Sequence, residues 1–315
     1  MAGSLATPGA ISARKRGSGL VQGEVRGRGA LPAVAVGVVA VSAAAVMIRL
    51  ADAPALAVAF WRCALGVAIL LPPALVRGDA FPKGKVLYVG IASGVALGAH
   101  FGFWISSLDY TSVAASVVLV SNTPVFVAIL AYLLFGEKTA PLSFAGILVA
   151  LAGTVVIAQD GSAGSAAVFG NVLAILGALT FTVCVLIGRS QRSAAEPVGV
   201  LPYSIVLYSA AAAALLPVAL LSGDRVWGYG WETWFWLLAI TVGPQILGHT
   251  VFNWALRYVE ASVISGTVLA EPVVAALLAW LVLSERPGTA TLLGGAVVLA
   301  GIFLLLRGRR KADAP

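Results

Sequence analysis

Ten long apolar stretches follow one another along the chain, separated by short polar breaks. They run over residues 32–49, 54–76, 86–106, 110–135, 140–158, 167–188, 198–221, 232–255, 259–283 and 288–306. The breaks carry turn and charge signals, as at Asp52-Ala53-Pro54, Arg77-Gly78-Asp79, Gly136-Glu137-Lys138 and Ser284-Glu285-Arg286-Pro287. Most stretches reach the roughly 20 residues a helix needs to cross a bilayer. Lipid offers no partner to backbone N–H and C=O groups, so each stretch must satisfy its own as a helix. A transmembrane barrel would show alternating segments of about ten residues instead. The pattern predicts an all-α integral membrane protein of ten transmembrane helices, with no soluble domain between them.

Composition points the same way. Of 315 residues, 60% are apolar and only 10% are charged, and mean hydropathy is +0.99. Soluble chains carry roughly 25% charged residues. That excludes a cytosolic enzyme, a disordered protein and a nucleic-acid module. Cys63 and Cys184 lie inside apolar stretches without metal-ligand spacing and are read as packing residues.

The net charge of +7 is spread over the breaks and the two ends. Residues 1–30 read as a disordered basic cytoplasmic tail, and residues 307–315 as a second basic tail. The first stretch is longer than a signal-peptide core of roughly 7–15 residues, so it is read as a membrane helix. With ten spans and the N-terminus inside, 16 of the 20 Lys and Arg residues fall on the cytoplasmic side. Three, Arg49, Arg225 and Arg286, fall outside, and Arg62 lies within a span. This asymmetry places both termini in the cytoplasm. The expected location is a plasma membrane, that of a bacterial inner membrane.

The chain also aligns with itself at an offset of 148 residues. Over residues 108–157 against 256–305, 15 of 50 positions are identical. Among them are Tyr110 with Tyr258, Pro124 with Pro272, Glu137 with Glu285, Gly146 with Gly294 and Gly153 with Gly301. The unit, residues 31–158 and again 159–306, holds five helices. An odd number makes the second copy enter the membrane from the opposite side, so the two halves are expected to be inverted repeats, a design of secondary transporters.

These residues resemble the EamA-type branch of the drug/metabolite transporter superfamily. The first half carries Asn122-Thr123-Pro124-Val125-Phe126, then Gly136-Glu137-Lys138-Thr139. The second carries Ala270-Glu271-Pro272-Val273, then Ser284-Glu285-Arg286-Pro287, with Ser284 and Pro287 where the family pattern has Gly and Thr. Phe60-Trp61-Arg62 looks like the family's aromatic-Arg signature in the second span. The resemblance covers about residues 32–306. It implies a transporter of small metabolites, most often an exporter of amino acids or related compounds, with a central cavity lined by the third, fourth, eighth and ninth helices.

Polar residues within the spans supply the candidate site. Thr241, Gln245, His249 and Asn253 recur every four positions, on one broad helical face. That face either lines a cavity or bonds to neighbouring helices. In the third span Ser93, His100, Trp104 and Ser107 share a face, while Gly90, Gly94, Gly98 and Gly102 form a packing ridge. His100 and His249 are either proton carriers or neutral hydrogen-bonded side chains. Glu271 lies near the middle of the ninth span beside Pro272, and its repeat partner is Thr123, next to Asn122. A mid-bilayer carboxylate must be paired, hydrated or protonated. It is read as a partner for a substrate amine or a coupling proton, or as half of a fixed ion pair with Arg62. Arg62 is read as a structural cation that partly snorkels outward, or as an anchor for a substrate carboxylate. Trp104 is read as a stacking surface for substrate or as a packing residue.

No G-x-x-x-x-G-K-[ST] loop and no H-E-x-x-H or G-x-S-x-G motif occurs. No ATPase, metal or cofactor chemistry is therefore expected, and the partners foreseen are the lipid bilayer and a small-molecule substrate, without nucleic acid. The rivals are a non-transporting sensor or assembly component and an intramembrane enzyme. The sequence leaves open monomer or homodimer.

Overall fold

The computed structural model describes residues 30–136, 140–158, 164–192, 199–248 and 270–312. Among these residues all regular structure is helical. In chain order the helices are α1 (Ala30–Ser42), α2 (Ala44–Leu50), α3 (Ala55–Arg77), α4 (Gly84–Ser107), α5 (Val113–Val120), α6 (Thr123–Phe135), α7 (Pro141–Ala158), α8 (Gly164–Arg192), α9 (Val200–Leu221), α10 (Trp231–Ile240), α11 (Glu271–Leu283) and α12 (Thr289–Ala312). A π-helical segment, Thr241–Gly248, continues α10. Seven helical stretches among the described residues are long and apolar enough to cross a membrane, and Pro141–Ile157 and Glu271–Leu283 are shorter apolar helices. Large apolar side chains such as Leu75, Tyr88, Leu133, Leu148 and Leu293 stand exposed on the outside. Water would penalise so much apolar surface, whereas lipid tails suit it.

One of the expected spans is interrupted. The stretch 110–135 is two helices, α5 and α6, parted at Ser121 and Asn122. Pro124 has no N–H to continue the ladder. Side chains add bonds to the carbonyls at the end of α5, of which Val117 O and Leu119 O also accept the backbone N–H groups of Ser121 and Asn122. Ser121 Oγ donates to Val117 O at 2.8 Å, Asn122 Nδ2 to Leu119 O at 3.2 Å and Thr123 Oγ1 to Val120 O at 2.9 Å. Glu271 is the first residue of α11, with Pro272 in that helix's first turn, and the rest of its expected span, residues 259–269, lies outside the described residues. Likewise, Pro244 lies inside the π-helical segment, where wide turns are common near functional sites.

Small residues set the helix pairings. A Cβ on Gly94 would lie 2.5 Å from Leu207 O, and one on Gly98 would lie 3.0 Å from Ala211 O. The glycine ridge of the third span is thus a seat for α9. Gly170 and Gly177 of α8 press on Thr111 and Trp104, so α4 and α8 run antiparallel. Helices α7 and α12 make the closest pair. A Cβ on Gly301 would lie 2.7 Å from Gly146 O, and one on Gly153 would lie 2.7 Å from Gly294 O.

The core falls into two apolar clusters. One joins α2, α3, α4, α9 and α10 with parts of α5, α8 and α11, and contains both buried thiols, Cys63 and Cys184. The other joins α5, α6, α7, α8 and α12.

Candidate substrate site

Arg62 sits on the second turn of α3, about 12 Å along the helix from Pro54. It does not snorkel outward: only 1% of it is exposed. Its Nε donates to Gln245 Oε1 at 2.7 Å, and Gln245 Nε2 donates back to Arg62 O at 3.0 Å. Gly66, one turn beyond Arg62, makes room for this, since a Cβ there would lie 2.7 Å from Gln245 Nε2. The π-helical segment carries both Gln245 and Thr241, and each is fully buried. Thr241 spends its hydroxyl on Leu237 O at 2.8 Å. Of the polar face read from the eighth span, His249 and Asn253 lie outside the described residues.

An aromatic group surrounds the guanidinium. Its central carbon lies 3.9 Å from the Phe101 ring centre and 5.9 Å from that of Trp104. His100 stacks almost parallel to Trp104 at 5.9 Å and packs on Phe181 at 4.7 Å. His100 Nδ1 lies 2.9 Å from Gly177 O, and a carbonyl only accepts, so Nδ1 carries a proton. The buried face of α4 read from the sequence is therefore real: Ser93, His100, Trp104 and Ser107 all turn inward.

Asn122, Thr123 and Glu271 form a second region, at the break between α5 and α6 and at the start of α11, which packs on α5. Asn122 is fully buried, and its Oδ1 accepts no hydrogen bond among the described residues. No ion pair joins Glu271 to Arg62 among the described residues. The structural pairing of these two charges is thus corrected: Arg62 is held by Gln245 instead.

At one end of the bundle lies a cavity of about 360 Å³, lined by Arg49, Asp52, Pro54, Ile105 and Asp109 among others. Partial loss of water pushes the Asp109 carboxyl above its ordinary value, Arg49 opposing and Asp224 adding to the shift. Beside the cavity, Glu285 Oε1 accepts from Val113 N at 2.6 Å, and Arg49 Nη2 donates to Thr111 O at 3.0 Å. Arg49 and Glu285 approach to 3.8 Å. Sequence reasoning missed this link, and it missed Phe101. The one available signal for the Arg62–Gln245 pair was Gly66, a small residue on the face of Arg62.

The sequence pattern of the EamA-like transporter family matches residues 28–159 and again residues 168–307. The chain belongs to that family. It is similar to an uncharacterized transporter of Archaeoglobus fulgidus, 28% identical over 72% of this chain and 79% of the relative. It is also similar to the pseudopaline exporter CntI of Pseudomonas aeruginosa, 26% identical over 82% of this chain and 89% of CntI. A crystal structure 21% identical superposes with a TM-score of 0.61, covering 91% of this chain and 99% of that one, which shows a shared fold. As an EamA-like protein, the chain is a multi-pass membrane transporter of small molecules rather than an enzyme.

Proposed function

We infer that this EamA-like protein is a secondary-active exporter of small metabolites, amino acids or related compounds, working by alternating access. Ten spans form two inverted five-helix halves, residues 31–158 and 159–306, with both termini cytoplasmic in a bacterial inner membrane. The observation that carries this reading is the α7–α12 contact. Gly146 meets Gly301 and Gly153 meets Gly294 across antiparallel helices. The repeat offset of 148 converts Gly146 into Gly294 and Gly153 into Gly301, so it turns one contact into the other. A pseudo-twofold axis in the membrane plane is the simplest geometry with that property. The left-handed backbone at Gly136 (φ 66°) recurs at Ser284 (φ 56°), its repeat partner, even though Ser is a poor residue for it. The exporter CntI, matched over most of its length, supports outward transport.

The translocation site is built from Arg62, His100, Trp104 and Gln245 in one region, with Asn122, Thr123 and Glu271 in the second, and His249 and Asn253 continuing the eighth span. Rocking of the halves exposes it to each side in turn. Glu271, with His100 and His249 as further candidates, carries the coupling proton. Proteoliposomes loaded with a mixed metabolite pool test this. A pH gradient should drive accumulation of a compound, and Glu271→Gln should abolish the driven part while leaving exchange. Driven transport undiminished in Glu271→Gln removes the proton role of that residue.

A further inference from the structure

Two buried polar atoms near the centre of the first region have no hydrogen-bond partner among the described residues, Arg62 Nη1 and Trp104 Nε1. Both are donors, and neither guanidinium nor indole N–H can accept. Their side chains are neighbours, with the guanidinium carbon 5.9 Å from the Trp104 ring centre. Arg62 takes part in no ion pair among the described residues. Its described contacts, the Gln245 carboxamide and the Phe101 face, are neutral groups and supply no counter-charge. A buried cation without a counter-charge is costly. A water molecule could satisfy a donor, but it would leave the charge unbalanced. An anionic acceptor answers both needs at once.

We propose that Arg62 and Trp104 form an anion subsite that takes one carboxylate group of the transported molecule. The inference rests on the transport reading above and deepens it. The guanidinium fork matches a planar carboxylate. Nη1–H donates to it from one side and Trp104 Nε1–H from the other. Gln245 holds Nε from the opposite half of the chain, so the fork is aimed before the ligand arrives. The same bonds tie carboxylate binding to the relative position of α3 and the π-helical segment. In the conformation described, Arg62 and Trp104 are closed off, so the carboxylate enters when the halves part. Both orphaned donors are side-chain atoms, so conservative replacements remove one donor at a time.

The test uses the full-length protein in proteoliposomes and three matched sets of probes: the common amino acids, their carboxamides, and the amines left on removal of the carboxylate. The sets compete for counterflow, and moved compounds are counted by mass spectrometry. Wild type should favour acids over their amides. Trp104→Phe keeps the ring and removes the N–H, and should lower the acid-to-amide preference about tenfold, a charge-assisted bond's worth. Arg62→Lys keeps the charge but loses the fork, and should lower it further. Equal movement of acids and amides in wild type overturns the subsite, while transport itself stands. So does an acid preference untouched by Trp104→Phe, which would leave water as the partner of both donors. No movement of any set counts against the transport reading and removes the subsite with it.

Discussion

Gln245 grips Arg62 with both ends of its carboxamide. Its oxygen accepts from Nε at 2.7 Å and its nitrogen donates to Arg62 O at 3.0 Å. One residue belongs to the third helix of the chain and the other to a π-helical segment 183 positions later. This is one of two polar links described between the first and second parts of the sequence at the candidate site, beside that of His100 Nδ1 with Gly177 O. Gln245→Leu should strand the buried guanidinium. The expected cost is about 3 kcal/mol, read as a lower midpoint of thermal unfolding in detergent. Gln245→Glu, which keeps the acceptor, should cost less. Equal stability of Gln245→Leu and wild type would mean that the pair carries no load.

The α7–α12 crossing predicts a contrast among glycines. Gly301→Ala places a Cβ 2.3 Å from Ala150 N, a backbone atom that cannot yield. It should cost about 2 kcal/mol or more through overpacking. Gly295→Ala meets only Val118 Cγ2 at 3.5 Å, an ordinary contact. There the gain in helix propensity, about 1 kcal/mol, should dominate. Thermal unfolding of the two variants side by side distinguishes them.

Ser284 adopts a left-handed backbone at φ 56°, where its repeat partner Gly136 adopts φ 66°. An L-residue loses about 1 kcal/mol in that region. Ser284→Gly should therefore stabilise the protein by up to that amount, and Gly136→Ser should destabilise it similarly. The same unfolding assay reads both signs.

At the bundle's end, Glu285 bonds Val113 N at 2.6 Å but approaches Arg49 only to 3.8 Å. The short bond caps a free N–H at the start of α5, and such caps contribute about 1 kcal/mol. The long ion pair is partly exposed and contributes little. Glu285→Ala should thus cost about 1 kcal/mol, and raising salt should change wild-type stability little. A strong salt dependence would reverse that ranking.

Asp109 carries a carboxyl raised by partial desolvation. A raised acid binds its proton more tightly in the folded state than in the unfolded one. Its contribution to stability is therefore present at low pH and declines as pH rises through the folded value, above about 3.8. Asp109→Asn should remove that decline, which stability curves between pH 4 and 7 would register.

Much of this architecture was legible because lipid makes hydrophobicity and helix formation one signal. The glycine ridge on α4 and the inward face of His100 and Trp104 follow from four-residue spacing alone. The interruption at Ser121–Asn122 was not legible as a break, because the apolar run continues through it while Pro124 and three side-chain bonds end the helix. Glu271 was noticed for its charge, and the part of its span before Ala270 lies outside the described residues. The partner of Arg62 left only Gly66, a small residue on the same face, as a trace in the sequence. Pairing across 183 residues depends on how helices pack, and a neutral amide leaves no charge pattern to match. His249 and Asn253, on the same polar face as Thr241 and Gln245, lie outside the described residues.

The most direct test of alternating access is a pair of distances. Spin labels at Tyr110 and Trp227 report one end of the bundle, and labels at Val76 and Val200 report the other; all four positions are exposed. Cys63 and Cys184, the two cysteines, are replaced by Ala for this purpose. Electron-electron double resonance is recorded in nanodiscs with and without the matched amino-acid mixture. Two rocking inverted halves require the two distances to change in opposite directions between the same pair of states. Two distances that stay fixed, or that lengthen and shorten together, while the same labelled protein transports in liposomes would contradict that mechanism.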